Sequence, residues 1–323
     1  MITRRAAGGL LKAAVAILLC LWLLGRLDAQ LLWRTLAGVS RPHLAAALLL
    51  LAPNLGFQAL KWGLLVRSQL PECAAGCIAR SFLGGMALGT LTPGRLGEHA
   101  RAAWFGARRT ELAALSLLDK LSAAAVTSLG GALGLLLLPR WDLSLFGRAA
   151  PLVLALLGLY AAAVLAWTLA GLALLLAPAR VTGLLGRWPW LAARARFQRA
   201  HAAMGLVGRP RRLGLLLAAL AFYGTYILQF TLLARGLGLA MPLAPAAAAG
   251  TMFLKSLFPV SLGDLGVREL FAANLFEGLG GAPEQAVGAA FLLFLINVLL
   301  PSLAGAVLAA SGSGPPRRGA EAR

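Results

Sequence analysis

Two stretches of this sequence combine glycine and charge in a way that apolar packing alone does not require. They are Thr92-Pro93-Gly94-Arg95-Leu96-Gly97-Glu98 and Ser261-Leu262-Gly263-Asp264-Leu265-Gly266-Val267-Arg268-Glu269. Each holds a Gly-x-Leu-Gly turn with a glutamate just after it. Pro93, Gly94, Gly97, Gly263 and Gly266 suit a sharp backbone turn. A helix starting at such a turn presents unpaired amides and the positive end of its dipole. That arrangement suits an anion, and Arg95, Arg101 and Arg268, with Lys255 nearby, add the charge-assisted contacts a phosphate takes. Asp264 adds a negative charge that disfavours an anion unless Arg268 neutralises it. Glu98 and Glu269 fall in the first turn of the helices that follow, where they either stabilise the helix terminus or pair with the arginines and accept a proton. Arg268 has the same two readings, as a phosphate ligand or as the structural partner of Glu269. Asp119 and Lys120, at the start of a later apolar run, read as a surface ion pair or as part of the site.

Other chemistry has little to stand on. The chain has three histidines (His43, His99, His201) and three cysteines (Cys20, Cys73, Cys77), with no metal-ligand spacing and no disulfide framework. It shows no Walker loop and no serine elbow. Neither an enzyme, a cofactor nor a metal is expected.

The elements that must position these residues lie in a membrane. Of 323 residues, 60% are hydrophobic and only 13% charged, against about 25% charged in soluble domains. Uncharged runs exceed the ~18 residues that mark a bilayer-spanning helix. Six spans are predicted, near 10–25, 44–66, 112–138, 149–177, 213–234 and 284–310. The first is short and basic-flanked but has a poor cleavage pattern, so it reads as retained. Between them, about 81–109 and 242–279 are too apolar for loops and too charged for lipid-facing spans. Each is predicted as a re-entrant hairpin buried in protein. The first enters from the cytoplasm and the second from outside, so the halves read as an inverted-topology repeat. The fold class is therefore all-α integral membrane, a single polytopic domain over 1–310 with a disordered basic tail at 311–323.

The net charge of +19 resides beside the spans, with no soluble basic domain for nucleic acid. Segment 178–212 carries eight arginines and no acid, which places it in the cytoplasm with both termini. Its Trp188 and Trp190 suggest contact with anionic headgroups, and Leu31, Leu32, Trp33 and Leu36 suggest a further interfacial stretch. Lys61 reads as one of a cytoplasmic cluster with Arg67 and Arg80.

The Thr-Pro-Gly-Arg-Leu-Gly-Glu run, Leu118-Asp119-Lys120 and Phe258-Pro259-Val260-Ser261 through Glu269 resemble the lysylphosphatidylglycerol synthase transmembrane region, or flippase-like family, over roughly residues 10 to 310. Asp264 departs from it, standing where the family pattern usually has a second glycine. Members carry this domain alone or fused to an aminoacyl-transferase. The chain ends soon after its last span, so the resemblance implies only the translocating half, in a bacterial inner membrane. Expected cargo is a membrane lipid with a phosphate-bearing headgroup. The alternative is an accessory subunit or enzyme of lipid or glycolipid synthesis, and a lipid-modifying enzyme is the expected protein partner.

Overall fold

A computed structural model describes residues 29–90, 92, 95–138, 150–257 and 266–308. The predicted first span, Pro93, Gly94, Gly263, Asp264 and the tail at 311–323 lie outside the described residues.

Every regular element among the described residues is helical. Helix α1 is Ala29–Ala37, and α2 (Arg41–Leu49) runs through Leu50 into α3 (Leu51–Gln69). Helix α4 is Ala75–Thr90; a 3-10 segment, Leu96–Arg108, leads into α5, Arg109–Leu137. Helix α6 spans Ala150–Leu176, followed by short α7 (Pro178–Leu185), α8 (Pro189–Ala192) and α9 (Ala195–Gly205). Helix α10 is Arg209–Gly236, α11 Ala244–Ser256, α12 Val267–Glu277, α13 Pro283–Phe294 and α14 Leu300–Leu308. A wide π turn, Leu295–Leu299, joins the last two. Pro301 explains it, since its ring has no N–H and would clash with the carbonyl four residues back in a regular α-helix.

Four helices among the described residues are long and apolar enough to cross a bilayer: Arg41–Gln69, Arg109–Leu137, Arg209–Gly236 and Pro283–Leu308. They coincide with the predicted spans two, three, five and six. The predicted fourth span forms α6, of 27 residues.

The hairpin legs are shorter. At ~1.5 Å per residue, α11 with 13 residues and α12 with 11 reach about 20 and 16 Å, less than the ~30 Å hydrocarbon thickness. The geometry shows where each hairpin begins and ends. Leu65 and Val66 near the end of α3 share a core with Leu112 and Leu115 near the start of α5, and with Ala203, Met204 and Val207 of the basic segment. The first hairpin thus leaves and returns at the basic end. At the other end, Leu237 and Leu239 after α10 pack with Ala286 of α13, while the Ser40 N–H before α2 donates to Gly236 O at 2.8 Å. The second hairpin leaves and returns there, so the two enter from opposite ends.

Their packing is reciprocal. The first leg of the first hairpin, α4, lies on α14, the last span of the second half; the first leg of the second, α11, lies on α5, the last span of the first half. Small residues permit both approaches. A Cβ on Gly134 of α5 would come within 2.7 Å of Ala246 O on α11, and one on Gly305 of α14 would collide with Leu83 O on α4.

The predicted basic loop is largely helical. Thr182, Ala203, Met204 and Val207 are buried while Arg180, Arg187, Arg194, Arg196 and Arg199 stay exposed. Its helices are amphipathic, which gives the arginines a solvated face and the apolar residues a core.

Candidate functional site

The chemistry-bearing residues of the first hairpin converge because α4 presents glycine where the returning 3-10 segment crosses it. A Cβ on Gly84 would lie 2.5 Å from Trp104, one on Gly85 2.8 Å from the Arg101 Cβ, and one on Gly89 2.5 Å from the Glu98 Cγ. These positions let the segment sink against α4 and turn Glu98 and Arg101 toward α3 and α5. Gly97 does the same at the segment's start, where its N–H donates to Thr92 Oγ1 at 2.6 Å. Arg95 has left-handed backbone, φ 55, a conformation that costs a non-glycine residue about 1–2 kcal/mol. The conformation sets its guanidinium beside Glu98.

Two carboxylates are each held between two cations. Asp119 meets Lys61 Nζ at 2.8 Å and Arg101 Nη2 at 2.5 Å. Glu98 meets Arg95 Nε at 2.6 Å and, through its other oxygen, Lys120 Nζ. The first trio is closed: the Lys61 and Arg101 side chains are 4% exposed and that of Asp119 9%. The second is more open, with Arg95 at 21% and Lys120 at 38%. Arg101 also lies 4.0 Å over the Trp62 ring, a contact worth ~2 kcal/mol when desolvated. The Trp62 Nε1–H donates to Ser81 Oγ at 2.9 Å, which fixes the ring.

All six charged groups line a cavity of about 110 Å³ together with Gln58, Met86 and Phe222. At ~30 Å³ per water in the liquid, it has room for three or four waters or a phosphate, and none for acyl chains. Four cations against two carboxylates leave a surplus of two positive charges. Lys61 stands eight residues before the end of α3 and Asp119 ten after the start of α5. At ~1.5 Å per residue that is about 12 and 15 Å inward from the basic end, near half the hydrocarbon thickness.

Of the residues predicted from sequence, Arg95, Glu98 and Arg101 meet in this cavity. Lys255, Arg268 and Glu269 sit on the second hairpin instead, Lys255 in the last turn of α11 and the other two in the first turn of α12. Arg268 is fully buried; its Nη2 donates to Glu269 Oε1 at 2.6 Å and its guanidinium lies 5.6 Å from the Phe294 ring centroid. Glu269 Oε2 accepts the Gly266 N–H at 2.7 Å, the reach-back contact of an N-terminal cap. Gly266, at φ 84, is the residue type such a turn favours.

Lys61, Trp62, Asp119 and Lys120 complete the site. Lys61 is 3% exposed within α3, a correction to its placement in a cytoplasmic cluster with Arg67 and Arg80: the helix continues to Gln69 and carries the ammonium inward. Asp119 and Lys120 likewise pair with other helices across the site, and not as a surface couple. A charged residue inside an apolar run was the available signal in both cases.

The model of the family described as Lysylphosphatidylglycerol synthase TM region matches residues 9–305. The chain belongs to this family. No curated protein and no solved structure matches it. Family membership agrees with the resemblance carried by the two Gly-x-Leu-Gly runs, and the first of these runs builds one wall of the cavity.

Proposed function

We propose that this protein translocates the headgroup of a membrane lipid, without chemically converting it, through the cavity beside the first hairpin. The observation that carries this reading is the surplus of positive charge in a phosphate-sized cavity between helices long and apolar enough to cross a bilayer. A lipid phosphate entering it balances the two positive charges that the cations of the cavity hold in excess over its carboxylates. The two are the most exposed cations of the site, so the headgroup meets them first, while the Lys61–Asp119–Arg101 trio keeps the wall beyond them charged and closed. The acyl chains stay in lipid. The basic end is read as cytoplasmic, in a bacterial inner membrane, by the positive-inside rule.

The test is a scrambling assay in proteoliposomes with fluorescent phosphatidylglycerol, run beside a melting curve. Neutralising Arg95→Gln, Glu98→Gln and Lys120→Gln together leaves no uncompensated charge at the outer trio. The triple variant is expected to melt near wild type and to transport at least about tenfold more slowly, the effect of losing one charge-assisted contact of ~1.5 to 3 kcal/mol. Wild-type transport by the folded triple variant would defeat the proposal.

A further inference from the structure

A second cavity, of about 600 Å³, opens at the basic end between the last turn of α6 and the first turn of α10. Its size falls within the ~300–1,000 Å³ typical of ligand sites. Arg180, Arg209 and Arg212 line it, and so do the apolar side chains of Leu176, Val207 and Leu213. No carboxylate is among its lining residues, and the surrounding segment 178–212 contains none. Arg212 Nη1 donates to Leu176 O at 2.6 Å, capping α6, while its Nε is buried with no hydrogen-bond partner among the described residues. Three cations thus face a pocket with a mainly apolar wall, at the level where two long apolar helices end.

We propose that this pocket binds one anionic phospholipid as a resident ligand, separate from the lipid in transit. The phosphate sits among Arg180, Arg209 and Arg212, and the acyl chains start against Leu176, Val207 and Leu213. Basic pockets between helices at a membrane face take anionic headgroups by this combination of charge and apolar wall. A free phosphate would use the arginines and leave Leu176, Val207 and Leu213 without a partner, so the shape favours a lipid.

Native mass spectrometry of the full chain in mild detergent tests the proposal, with phosphatidylglycerol and phosphatidylcholine of identical acyl chains as probes. Wild type is expected to retain one phosphatidylglycerol in preference to phosphatidylcholine. Arg180→Gln with Arg209→Gln, which leaves the Arg212 cap on α6 intact, is expected to weaken that retention about tenfold or more, by loss of two charge-assisted contacts. Arg187→Gln with Arg199→Gln removes the same charge from exposed positions of the segment and is expected to bind as wild type. So is the outer-trio triple variant, which separates this site from the translocation cavity. Equal loss in the exposed-arginine control, loss in the outer-trio variant, no preference between the two lipids, or displacement by excess inorganic phosphate would each overturn the proposal.

Discussion

Arg268 and Glu269 show how little a buried charge can be understood alone. The guanidinium is fully buried, its partner lies 2.6 Å away, and that partner also caps α12 through Gly266. Removing one member of such a pair costs ~3–5 kcal/mol, because the other charge stays buried without compensation. Arg268→Met is therefore expected to lower the melting temperature sharply. Adding Glu269→Gln, which keeps an acceptor for the Gly266 amide, is expected to restore most of it. A folded Arg268→Met protein that melts as wild type but loses transport would instead make Arg268 a headgroup ligand. Arg95, Glu98 and Arg101 were legible in the sequence because charge beside Gly-x-Leu-Gly stands out. Asp119 stood out too, but its pairing with Lys61 and Arg101, and the role of Lys61, did not, since what gives them meaning is a partner on another helix, and one sequence does not show which distant residues meet.

At the scale of elements, glycine placement decides which helices touch. Gly134 faces Ala246 and Ala249 of α11, whereas a Cβ on Gly158 of α6 would meet nothing within 4 Å. Gly134→Leu is expected to destabilise the fold by roughly 1–3 kcal/mol through overpacking, and Gly158→Leu to leave the melting curve near wild type. Equal effects would show that the α5–α11 crossing is not as close as described. The hairpins were legible as elements because they are too charged for lipid and too short to cross. The helical form of the basic segment was less so, since its arginines mask the apolar side that Ala203, Met204 and Val207 bury.

For the molecule as a whole, the two hairpins entering from opposite ends make the topology testable. In a background with Cys20, Cys73 and Cys77 replaced by serine, Ala193→Cys and Ala282→Cys, both at exposed positions, are expected to label from opposite sides of the membrane, Ala193→Cys from the cytoplasm. Labelling from one side would refute the opposed arrangement. The order of the four long apolar helices among the described residues was legible from hydropathy. The exchange of partners between halves was not, because it depends on contacts across the whole length of the chain.

That exchange bears on how the protein is made. Thr90 on α4 hydrogen-bonds Ser302 of the last helix, 212 residues later. The ribosome therefore delivers the first hairpin, charges included, long before the helix that covers its backbone exists. Until then the insertion machinery or a chaperone has to shelter it. A synthesis error or stop anywhere in the second half exposes a polar hairpin in the first, and so marks the unfinished chain for quality control.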